Sequence, residues 1–165
     1  MQVARMLNVE LMSELLMFLL DGLTSKSQAA IRKTYGAYDD AVLHEKALKM
    51  RSELVLDAID EIYGTTAGLG GLNEFSRSPF NGQGWFYVLF AFLHDVSFAT
   101  TVKVRPSAKA KALQIAKIRK HLDRKAIALE SGALDDKLLK ALRGAATDKA
   151  SRQARYDFLR EGFRG

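Results

Sequence analysis

From Leu43 to Ile62 apolar residues return at every third or fourth position: Leu43, Ala47, Met50, Leu54, Ala58 and Ile62. Strands alternate with a period of two, so this spacing commits the segment to a helix. Val55 and Ile59 widen the stripe, while Glu45, Lys49, Glu53 and Asp57 lie off it. Asp39 and Asp40 open the segment and Gly64 closes it. A helix this long crosses most of a small domain, which makes it a central element and puts Leu54 in the expected core.

The rest of the chain follows the same period. Asn8 is an expected N-cap, and Leu11, Met12, Leu15, Leu16 and Leu19 form a helical stripe closed by Asp21-Gly22. A shorter helix is expected from Ser25 to Tyr35. Residues 64–84 are rich in glycine and contain Pro79, which reads as a long connecting loop. Gly84–His94 is apolar nearly all round, the pattern of a buried helix, with His94-Asp95 at its end. Phe98–Val104 is rich in Thr and Val and is extended at best. Ser107 is the expected cap of a long basic helix reaching Glu130, broken by Ser131-Gly132. Asp135–Arg143 forms a further helix, ended by Gly144, and Thr147-Asp148 starts the last, which runs to Phe163. The expected fold is a single all-α domain over residues 1–165, a bundle of six or seven helices with a Gly-rich connecting loop.

Composition narrows the chemistry. The 165 residues include no cysteine, which removes disulfides, thiolate metal sites and a cysteine nucleophile. His44, His94 and His121 show no helical metal spacing. Gly68 and Gly70 begin a G-x-G, but Asn73 stands in the third glycine's place, and no Gly-Lys-Ser/Thr follows. No G-x-S-x-G is present. The longest uncharged apolar stretch, Trp85–Leu93, is far too short for a membrane span. These patterns lead us to expect no catalytic residue, no metal, no cofactor and no membrane partner, in a cytoplasmic protein.

The charge is divided unevenly. Residues 1–100 carry 8 Lys/Arg against 12 Asp/Glu, net −4, and residues 101–165 carry 17 against 7, net +10. The chain thus has an acidic and a basic half. Nine basic residues lie between Lys103 and Lys125, with Asp123 the one acid among them. On a helix, Lys109, Lys117, Lys120 and Arg124 share a face opposite Ile115, Ile118, Leu122 and Leu129. Leu113 and Ile127 also fall on the basic side. Lys103 and Arg105 extend the patch. Arg152 and Arg155 share a face of the last helix, set either to hold a phosphate or carboxylate or to bridge to the acidic half. These eight cations are the candidate nucleic-acid contacts, and the plain alternative is a solvated face.

The run Arg5-Met6-Leu7-Asn8-Val9-Glu10, then Ser13-Glu14-Leu15-Leu16, Asp21-Gly22 and Tyr35-Gly36-Ala37-Tyr38-Asp39, carries a resemblance. Thr147-Asp148 followed by Arg152 and Arg155 adds to it, and Asn81 to Leu93 adds more faintly. The chain resembles the helical region of the family that contains the N-terminal part of GmrSD-type modification-dependent restriction systems. In that family the region follows a ParB/sulfiredoxin-like core bearing an Asp-Gly-Gln-Gln-Arg-like motif, and nothing like that motif occurs here. The resemblance implies a non-catalytic helical portion, whose partners would be DNA, through the basic helix, and a separate catalytic subunit or core. The competing expectation is a protein-interaction module whose basic face docks an acidic partner or a second copy.

Overall fold

Seven α-helices and one 3₁₀ turn make up the described residues, which are 2–38, 45–63, 75, 77–98 and 108–163 of this computed structural model. In chain order they are α1 (Gln2–Asp21), α2 (Gln28–Tyr38), α3 (Glu45–Tyr63), the 3₁₀ turn Pro79–Asn81, α4 (Gln83–Phe98), α5 (Ala108–Glu130), α6 (Asp136–Leu142) and α7 (Lys149–Arg160). Among the described residues there is no strand. The architecture is the all-α bundle that the periodicity predicts.

Helix α4 is the hub. Every residue from Tyr87 to Leu93 is fully buried, so the helix has no solvent face along its middle. Helices α1, α3 and α7 and the 3₁₀ turn pack around it. Helix α5 lies against α3, α7 and the 3₁₀ turn, and reaches α4 through side chains, the His121 ring stacking on Phe92. One core cluster joins these elements, with Leu15 and Phe18 from α1, Val55 and Ile62 from α3, and Ile118 and Leu122 from α5.

Local chemistry fixes the element ends. Ser27 Oγ accepts from Ala30 N at 3.0 Å, which starts α2 later than Ser25. Asp135 and Asp148 cap α6 and α7 by accepting from Leu138 N and Ser151 N. Gly22 ends α1 at φ +75° and Gly132 follows α5 at φ +67°, a left-handed conformation that suits glycine. At Gly84 glycine answers to space instead: a Cβ there would meet the Ala146 Cβ at 2.7 Å. The α6–α7 connection therefore rests directly on the start of α4.

Four expectations need correction. Helix α1 runs straight through Asn8, which is no cap. His94 and Asp95 do not end α4, which continues one more turn to Phe98. Helix α7 stops at Arg160, short of Phe163. In α3 the buried residues are Leu48, Val55, Ala58, Ile59, Ile62 and Tyr63, whereas Met50 and Leu54 are exposed. The reason is geometric: a four-residue step overshoots one turn by about 40°. A stripe made mostly of fours winds around the helix, so it leaves Met50 and Leu54 outside and brings Ala58 and Ile62 in. Asp39, Asp40, Leu43, the Gly64–Gly71 cluster, residues 99–104 and Ser107 lie outside the described residues.

Candidate functional site

The two faces of α5 differ as the sequence predicts. Ile118 and Leu122 are buried, and Ile115 and Leu129 pack partly against the core. Lys117, Lys120 and Arg124 are exposed on the opposite side. Leu113 and Ile127 stand on that same side and are among the most exposed large apolar residues described, at 73% and 64%. The outward face therefore reads Leu113, Lys117, Lys120, Arg124, Ile127. The steps are 4, 3, 4 and 3, the spacing of a seam that faces another helix. At 1.5 Å per residue the stripe is about 21 Å long.

Not every cation on α5 belongs to this face. Arg119 turns inward, donating to the Ile62 carbonyl and pairing with Asp123 at 3.2 Å. Lys125 pairs with Glu161 at 3.2 Å and stands 4.4 Å from the Phe158 ring centre. Lys103 and Arg105 lie outside the described residues. Lys109 belongs to α5, but its side chain is outside them too.

Arg152 and Arg155 must be withdrawn from the nucleic-acid contacts. They are 2% and 4% exposed, so no polyanion can reach them. Arg152 pairs with Glu14, donates to the carbonyls of Thr24 and Ala146 at 2.9 Å each, and lies 4.0 Å from the Tyr87 ring centre. Lys26 completes this group, 2.9 Å from Glu14 and 3.0 Å from Glu10. Its pKa is raised, chiefly by the hydrogen bond to Glu14. Arg155 donates to the carbonyls of Leu142 and Gly144, so it closes the C-terminal end of α6. Of the two uses the sequence leaves open, Arg152 takes the bridge to the acidic half. The signal was in the spacing: Arg152, Arg155 and Leu159 recur at steps of three and four, and all three face inward.

Asp95, Tyr156, Tyr63 and His121 also serve the packing. Asp95 accepts from Tyr156 and from His94, tying α4 to α7. The His94 hydrogen bond, with Tyr156 adding to it, holds the Asp95 carboxyl below its ordinary range. Burial, then Asp95, pushes Tyr156 up to about 12, and burial pushes Tyr63 to about 12 as well. Both phenols stay protonated at neutral pH. His121 lies 2.7 Å from the Leu159 carbonyl oxygen by its Nε2, which therefore carries the proton. No group of three His, Asp or Glu able to hold a metal occurs among the described residues. No helix there is long and apolar enough to cross a membrane.

Comparison of the chain with protein-family models, with curated proteins and with solved structures gave no match.

Proposed function

We propose that this protein is a non-catalytic helical module that docks an acidic protein surface through the outward face of α5. The observation that carries the reading is the alternation on that face. Three cations stand between two exposed apolar residues, Leu113 and Ile127. A polyanion has no use for the apolar ends, whereas a helix with an acidic middle satisfies both kinds of group. What supports a non-catalytic role is that buried polar groups work as structural ties: Glu14 to Arg152 and Lys26, His121 to the Leu159 carbonyl, and Arg155 to the Leu142 carbonyl. On the resemblance to the helical region of the GmrSD-type family, a catalytic subunit or core is one partner to look for.

A second reading, duplex DNA, is favoured by one observation. Lys117, Lys120 and Arg124 make no ion pair with a carboxylate among the described residues and span about 10 Å along the helix. Fluorescence anisotropy separates the two. A labelled Glu/Leu-rich amphipathic helical peptide should bind, and both Lys117→Glu/Lys120→Glu/Arg124→Glu and Leu113→Ser/Ile127→Ser should weaken it by about tenfold or more, in line with the loss of interface anchors. Duplex DNA binding that ignores the serine pair, and falls with salt at a log–log slope of about −0.9 per phosphate, would replace the first reading with the second.

A further inference from the structure

We propose that the partner of the α5 face is helix α3 of a second copy of this chain. The proposal rests on the docking role given to α5 above. It is carried by a match between two exposed helix faces.

On α3, Met50, Glu53, Asp57 and Asp60 are all exposed and lie on the side away from Val55 and Ile59. Their steps are 3, 4 and 3. On α5, read backwards, Ile127, Arg124, Lys120 and Lys117 are exposed with the same steps of 3, 4 and 3. Two helices laid antiparallel in this register bring Met50 against Ile127, Glu53 opposite Arg124, Asp57 opposite Lys120 and Asp60 opposite Lys117. Leu54, 46% exposed and next to Met50, widens the apolar end. Every opposed pair is either apolar or of opposite sign, which is what selects register between helices. Glu53 already touches Lys49 at 4.0 Å, a surface contact that a partner cation replaces at little cost. The same two helices of one chain are packed together by their inner faces, so each copy's outer faces remain for another copy. Each contact joins unlike faces, α3 to α5, the heterologous mode of association.

A few turns of paired helix bury less than the roughly 1,200 Å² of a stable interface, so the association is weak and concentration-dependent. Its charged pairs are open to solvent, so salt weakens it. Sedimentation velocity on the full chain should show the average mass rising with concentration at low salt and returning to the monomer at high salt. Lys120→Glu/Arg124→Glu should be monomeric, and so should Glu53→Lys/Asp57→Lys. Each carries like charge on both faces. Combining all four changes in one chain should restore association, and so should mixing the two paired variants. Thermal melts of each variant check that it is folded.

A wild type that stays monomeric at low salt overturns the proposal, as does a four-fold variant that fails to reassociate. The Glu/Leu-rich peptide then tells the two readings apart. If that peptide still binds the wild type through α5, only the choice of α3 is wrong. If it does not bind, the docking role of α5 falls as well.

Discussion

Arg152 and Glu14 stand 138 residues apart in the chain, yet form an ion pair with both side chains almost wholly out of water. The pair joins α7 to α1 across the Tyr87 ring of α4, and the two carbonyls that Arg152 also holds bring in the segments after α1 and after α6. An arginine whose sequence leaves open both an anion contact and a bridge to the acidic half is thus the bolt between the two halves of opposite charge.

Removing one partner of this pair strands the other. Arg152→Met should cost about 3–5 kcal/mol, because Glu14 would keep Lys26 alone as its counter-charge. Glu14→Leu combined with Arg152→Met leaves no unmatched buried charge and should recover part of that loss. Urea melts of both variants check this. A single variant within about 1 kcal/mol of wild type would show that the pair contributes little.

His121 should make the fold sensitive to acid. Burial holds its imidazole below the ordinary 6.5, with Lys125 and Arg124 pushing the same way and the Leu159 hydrogen bond opposing them. The unfolded chain takes up this proton near 6.5, and the folded chain only at lower pH. Between those values the unfolded state binds more protons, so stability falls as the pH drops through 6.5 and stops falling at the depressed folded value. Denaturant midpoints measured across this window should decline more steeply for wild type than for His121→Gln. Parallel lines would mean that His121 titrates alike in both states.

Leu54 and Leu89 should behave as opposites. Leu89 is fully buried in α4, and Leu89→Ala should cost about 2–5 kcal/mol. Leu54 is 46% exposed, so Leu54→Ala should cost less than about 1 kcal/mol. Equal losses in denaturant melts would place Leu54 in the core after all.

The Leu54 case shows where the sequence stopped being legible. Periodicity names the helices well, because a 3.6-residue period is a property of each segment alone. Assigning the inward direction needs the neighbours, and an apolar list that drifts around α3 gives two answers. Val55 and Ile59, read only as the margins of the stripe, sit at the middle of the buried face. On α5 the sequence is clearer, since Ile115, Ile118, Leu122 and Leu129 agree on a single direction and Lys117, Lys120 and Arg124 oppose it. Only the place of Arg152 and Arg155 among the nucleic-acid contacts fails, and it does so for a chemical reason. Hydropathy assigns an arginine to water, while a guanidinium with enough carbonyl and carboxylate acceptors is stable inside. Those acceptors come from residues near 14, 24, 142 and 146, so only the assembled fold reveals them.

Burying two guanidiniums on the last helix also restricts how that helix can be misplaced. Sliding α7 by one residue turns it by about 100°. Both cations would then leave their oxygen acceptors, and an unmatched charge held from water costs several kcal/mol. A face built of leucines alone would lose only part of its contacts in the same slip and could settle into several near-equal seats. With Arg152 and Arg155 there is one seat, because the neighbouring ones are penalised rather than merely less favourable.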